Sequence, residues 1–265
     1  MSPDQYFVTD GIRLRYRDEG TGPGVLFVHG WALDLNMWDL QADALKHHFR
    51  VIRVDRRGFG LSSGRPALLQ DAADLIELCG YLKVRPVGCV GMSQGARVAL
   101  QLSAMAPQLA ACLVLDGPPH VSPSPETLPD DINFPQWKKL ARTEGMEAFR
   151  RQWAGHPLIS LETADPSPRQ LVDQMIARYS GADLLEDSAT EVPTAPGFTL
   201  NAILQPVLVL NGASDTPTRL RAGEALAQSL PCGTRAIVPA ARHLANLDNP
   251  AAYNTLLLRF FFRHL

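Results

Sequence analysis

The chain has only four cysteines in 265 residues. Cys79, Cys89, Cys112 and Cys232 stand far apart, with no Cys-x-x-Cys pair and no metal-ligand spacing. A disulfide scaffold and a zinc ribbon are therefore excluded. No uninterrupted apolar run approaches the ~18 residues of a membrane span. An excess of one charge is lacking too: 25 basic and 27 acidic residues leave a formal charge of −2. Without a basic block there is no electrostatic footprint for nucleic acid or an anionic membrane. The start, MSPDQYFVTD, has neither the basic segment nor the apolar core of a secretory signal. Internal repeats and low-complexity tracts are also absent. These absences predict a cytoplasmic protein with buried free thiols and no metal.

What is present is an apolar fraction of 46%, enough for a sizeable core and incompatible with wholesale disorder. The length permits one large domain or two small ones. Along the chain, strand-like and helix-like patterns alternate, which predicts a parallel sheet with helices on its faces. Strands are expected at 5–9 and 12–16, joined through Asp10-Gly11 as a hairpin turn. Continuous apolar runs predict buried strands at 25–28, 51–54, 87–90, 112–115, 207–210 and 236–238. Amphipathic stretches predict helices over 36–48, 67–82, 94–105, 220–230 and 250–262, with Pro250 in the first turn of the last. The result is an α/β fold with eight mostly parallel strands. After the sixth strand the rhythm breaks. The Pro-rich stretch from Pro118 leads into helical pieces at 136–144, 146–153 and 168–179. A structureless loop of that length would be improbable in a compact domain. Residues 119–196 are therefore expected to be a helical cap inserted in a core built from 1–118 and 197–265.

The most informative residues are Gly91-Met92-Ser93-Gln94-Gly95, between a predicted strand and a predicted helix. G-x-S-x-G in that setting forces the serine into a strained elbow with its hydroxyl exposed. A serine hydroxyl needs a base, and the base needs a carboxylate to orient it. At such an elbow they follow in the order serine, acid, histidine. Asp215 lies just past the strand 207–210 and His243 just past 236–238, so both fall at the sheet edge that carries Ser93. Asp116, at the end of the strand 112–115, is a competing acid. Its Asp-Gly pair reads equally well as a turn. The other histidines lack this placement: His47 and His48 end a helix, His264 is terminal, and His120 and His156 fall in the cap. His29 is expected to brace its own loop. Oxyanion-binding N–H groups are expected from Gln94, after the nucleophile, and from Trp31, in the loop after the strand 25–28. Gly58, Gly60 and Gly64 only mimic part of a dinucleotide fingerprint, because the third glycine comes one place late.

These residues resemble the α/β-hydrolases, and within them the 3-oxoadipate enol-lactonase-like and carboxylesterase group. The likeness rests on HGW at 29–31, FRVIRVDRRGFGLS from Phe49, GMSQG at 91–95 and HLANLDNP from His243. It spans roughly residues 5–118 and 204–262, and leaves the cap uncovered. The elbow departs from the lactonases at Gln94 and Ala96, and Arg242 precedes the histidine. The resemblance implies an α/β-hydrolase fold with Ser93, Asp215 and His243 as nucleophile, acid and base, Trp31 and Gln94 donating to the oxyanion, and no cofactor.

The expected function is hydrolysis of a small, largely apolar carboxylic ester or lactone through an acyl-enzyme. Phe134, Trp137, Phe149 and Trp153 are candidates for the pocket wall, although the same rings would also serve to fasten the cap to the core. Carbon–carbon bond hydrolysis, acyl or peracid transfer and cofactor-free dioxygenation remain alternatives on this scaffold. A small-molecule receptor is the alternative outside enzymes. Whether copies of the chain pair is left open.

Overall fold

Asp10 and Gly11 both adopt positive φ (47° and 73°). That combination makes the tight turn whose twist matches a hairpin. It joins β1 (Gln5–Thr9) to β2 (Ile12–Glu19), with Thr9 opposite Ile12. The computed structural model of the chain describes residues 2–120, 131–186 and 199–265. The buried run β3 (Gly24–Val28) follows the hairpin.

The helix expected over 36–48 is divided. Asp34 accepts the Asn36 N–H and starts a single 3₁₀ turn, Leu35–Trp38, and only then does α1 (Asp39–Leu45) begin. Residue types that suit both forms hid this break; a capping aspartate that bonds two residues onward favours the tighter turn. Next come β4 (Arg50–Val54), α2 (Leu68–Tyr81), β5 (Val87–Met92), α3 (Gln94–Met105) and β6 (Ala110–Asp116).

Between β6 and the next strand the described residues are helical. They form α4 (Phe134–Trp153), a short turn at Pro157–Ile159, α5 (Pro166–Arg178) and α6 (Ala182–Leu185). Gly145, at φ 85° and ψ 168°, interrupts α4 between the two helices expected there. Residues 121–130 and 187–196 of the expected cap, with most of the Pro-rich linker, lie outside the described residues. The chain then returns to the sheet through β7 (Val207–Gly212), α7 (Pro217–Ser229), β8 (Gly233–Val238), α8 (Ala245–Asp248) and α9 (Pro250–His264). Pro250 occupies the first turn of α9, where a missing N–H costs nothing.

The sheet order is β1-β2-β4-β3-β5-β6-β7-β8. β2 runs antiparallel to both its neighbours, and the pairs from β4 to β8 are parallel. The central strands are buried on both faces. Val25 and Phe27 belong to the core on the face that carries α1 and α9, whereas Leu26 and Val28 belong to the core on the face that carries α2, α3 and α7. From β3 the chain crosses to β4 on one side; from β5 it crosses to β6 on the other. Their C-terminal loops thus diverge and open a crevice, the place where open α/β sheets bind ligands. Among the described residues no helix is long and apolar enough to cross a membrane.

The insertion is tied down over this edge. Arg178 donates to Asp34 at 2.7 and 3.0 Å, and Asp248 accepts the Glu162 and Thr163 N–H groups at 2.6 and 3.0 Å.

Candidate active site

Ser93 stands between β5 and α3 at φ 52° and ψ −114°, a conformation a non-glycine residue holds only when its surroundings impose it. Two neighbours impose it. The Ser93 N–H donates to the Asp116 carbonyl at 2.7 Å, and the strand presses against the helix. A Cβ on Gly91 would lie 2.2 Å from the Gly95 carbonyl oxygen, and one on Gly95 would lie 2.4 Å from that of Val28. Both glycines of the motif are needed to let the elbow close. As the cap of α3, Ser93 sits where the helix's unpaired first-turn N–H groups and positive dipole end converge.

His243 and Asp215 reach the same edge from the loops after β8 and β7. His243 Nδ1 lies 3.0 and 3.1 Å from the two Asp215 carboxylate oxygens. Asp215 also accepts the Thr216 N–H at 2.7 Å and an Asn211 amide hydrogen at 3.2 Å. Burial by itself would raise the Asp215 pKa; the His243 charge and these hydrogen bonds outweigh it and hold the carboxyl below its ordinary range. The imidazole has room because residue 117 is glycine. A Cβ there would come 2.6 Å from His243 Cε1.

Asp116, the competing acid, does not touch the histidine. Its side chain is fully buried and faces the Tyr253 hydroxyl. Burial, then the Asp215 charge, push its pKa well above the usual value.

Ser93 and His243 line one narrow cavity of about 10 Å³. They are not hydrogen-bonded to each other among the described contacts, a looseness common in unliganded sites. Trp31, Leu33, Met92 and Leu244 of the sheet edge form part of the wall, and Ile132, Trp153, Leu158 and Ile159 of the insertion form the rest. Of the four aromatic candidates, Trp153 lines the cavity. Phe134, Trp137 and Phe149 pack behind it: Phe134 and Phe149 lie 4.9 and 5.7 Å from the Trp31 ring, and Trp137 lies 5.5 Å from that of Trp153. His156 stacks on Trp153 at 4.5 Å.

The loop after β3 approaches the elbow closely, for a Cβ on Gly30 would meet Met92 Sδ at 2.7 Å. No described backbone carbonyl takes the Trp31 N–H. His29 braces this loop, with Nδ1 2.7 Å from the Gly30 carbonyl oxygen and Nε2 accepting the Arg56 N–H at 2.9 Å. An imidazole that accepts on Nε2 is neutral, and burial, followed by the Arg56 charge, lowers its pKa well below the usual value. The Trp31 indole donates to Asp183 of α6 at 2.7 Å, and the Tyr179 hydroxyl donates to the same carboxylate. Sequence reasoning missed Asp183, Tyr179 and Arg56, because the Trp31–Asp183 and Arg56–Gln94 bonds that bring them to the site join segments remote in the chain.

The family profile of the alpha/beta hydrolase fold matches residues 23–250. The chain belongs to the α/β-hydrolase fold family. This α/β-hydrolase is similar to a thermophilic esterase from Thermogutta terrifontis, at 28% identity and a TM-score of 0.84, with both chains fully covered. It is similar to the enol-lactonase from Burkholderia xenovorans, at 26% identity and a TM-score of 0.79 over 97% of this chain and 100% of that one. Its sequence is 26% identical to the pimeloyl-acyl-carrier-protein methyl ester esterase of Nitrosomonas europaea, covering 88% of this chain and 94% of that protein. The hydrolase's match to the profile takes in the elbow and the Asp215 and His243 loops alike.

Proposed function

We propose that the protein is a serine hydrolase of small, uncharged carboxylic esters or lactones. The observation that carries this reading is the His243–Asp215 pair, which shares one apolar cavity with an elbow serine. Ser93 Oγ attacks the carbonyl carbon while its proton passes to His243 Nε2, the ring nitrogen left free by the Nδ1 contact to Asp215. Asp215 holds that tautomer and stabilises the imidazolium. The oxyanion takes hydrogen bonds from the Trp31 and Gln94 N–H groups. The alcohol leaves with the proton from His243. Water, deprotonated by His243, then attacks the acyl carbon, releasing the acid and restoring Ser93.

Residues 119–196 serve as the cap, and Ile132, Trp153, Leu158 and Ile159 of that segment select the substrate. No cation stands among the described lining residues, which favours a neutral acyl group over one carrying a carboxylate. The likeness to esterases and to an enol-lactonase supports both ester and lactone as substrate classes. No cofactor enters these steps.

A fluorophosphonate probe should label Ser93, and short-chain esters or lactones should be turned over; Ser93→Ala should lose both. Turnover that survives Ser93→Ala refutes the mechanism. Tight binding of a small ligand, with no ester or lactone hydrolysed, would support a receptor instead.

A further inference from the structure

Arg56 lies just beyond β4, almost wholly buried. It differs from its neighbour in how it meets a carboxylate. Arg57 grips Asp74 with a fork, Nε at 2.7 Å and Nη2 at 2.8 Å. That is the geometry expected of an arginine whose task is to neutralise an acid. Arg56 gives Asp71 a single bond, from Nη1 at 2.9 Å, and its Nε has no partner. Its Nη2 instead donates to the Gln94 side-chain oxygen at 2.7 Å and to the Gly30 carbonyl at 3.2 Å. The Phe59 ring lies 4.4 Å from the guanidinium carbon and holds the plane in place.

We propose that Arg56 is a positioning residue for oxyanion binding, bridging the Gly30–Trp31 peptide after β3 and the start of α3 at Gln94. The inference rests on the hydrolytic reading above. In a planar trans peptide the carbonyl and the following N–H point in opposite directions. The Gly30 oxygen is held on one side by His29 Nδ1 and Arg56 Nη2, so the Trp31 N–H is aimed the other way. Donation to the carbonyl also polarises the amide and strengthens its N–H as a donor. The second donor belongs to Gln94, whose own side chain is the other end of the Arg56 bridge. Val28 pairs with Gly91 and Gly30 packs on Met92, and the Arg56 bridge adds the polar tie that fixes the aim of the two N–H donors.

The test compares Arg56→Lys, Arg56→Met and Gln94→Ala with the wild type in ester kinetics, thermal unfolding and the carbonyl stretching frequency of the acyl-enzyme. Losing an oxyanion donor outright costs about 10²–10³ in kcat, so a misaimed one should cost about 10- to 100-fold, with KM within about threefold. Arg56→Lys keeps a charge beside Asp71 but cannot span both acceptors. It should show that loss, and its acyl carbonyl stretch should move up toward that of a free ester. Gln94→Ala should show a smaller change in the same direction. Wild-type kcat and carbonyl frequency in Arg56→Lys, with only a lowered Tm, would overturn the proposal and leave Arg56 as the counter-charge of Asp71. If Arg56→Met does not fold, the other two variants decide. A wild type that forms no acyl-enzyme on Ser93 would instead overturn the hydrolytic reading, and this inference with it.

Discussion

Two aspartates at neighbouring strand ends differ in environment more than in position. Asp215 is surrounded by donors that outweigh its burial and lower its pKa, whereas burial and the Asp215 charge raise that of Asp116, which faces Tyr253. In the proposed mechanism, only an ionised carboxylate would stabilise the imidazolium formed when Ser93 gives up its proton. Asp215→Asn should therefore lower kcat by about 10⁴, through the wrong histidine tautomer. Asp116→Asn should leave kcat within a few-fold of wild type, since His243 contacts Asp215 and the amide keeps the shape of the acid. Steady-state kinetics on one ester separates the two. The sequence alone kept both acids open, because both stand at the right edge in the right order. What distinguishes them is the nearness of His243, which no spacing along the chain encodes.

Elements were legible where a local rule decides them. All eight strands stand where apolar runs and turn residues placed them, and Gly145 interrupts α4 between the two helices read from the sequence. The division ahead of α1 was not legible, because it hangs on one side-chain hydrogen bond from Asp34. Strand ends also carry the constraint that sets the histidine. At the end of β6, Gly117 adopts φ +52°, and a methyl group there would press on the His243 ring. Gly117→Ala should leave the circular dichroism spectrum unchanged and lower kcat about 100-fold, the loss expected from moving a reacting group by about 1 Å. A wild-type rate in that variant would show that the loop yields at no cost to the chemistry.

The whole molecule's stability should record its buried acids. Asp55 and Asp71 are pushed up to about 6, mainly by burial, and burial moves Asp116 in the same direction. An acid whose folded pKa is raised binds more protons folded than unfolded. Its contribution is thus fully present below the ordinary carboxylate range and lost as pH rises through the folded value. His29 runs the other way below pH 7, since its lowered pKa makes the fold resist protonation. Comparison with a variant removes that opposing effect. As pH rises above the ordinary carboxylate range, Asp116→Asn should gain stability relative to wild type, as read by urea unfolding at each pH. Parallel curves would mean that the Asp116 pKa is not raised.

The sequence by itself determined the sheet, the elbow and the residues able to do chemistry, because strand periodicity, turn geometry and strand–helix spacing act over a few residues. Tertiary structure decided which carboxylate meets His243, that Trp153 faces the cavity while Phe134, Trp137 and Phe149 pack behind it, and that Arg56 ties the β3 loop to the elbow. Each of these depends on the distance between segments remote in the chain, set only when both faces of the sheet are packed and the insertion is seated over its edge.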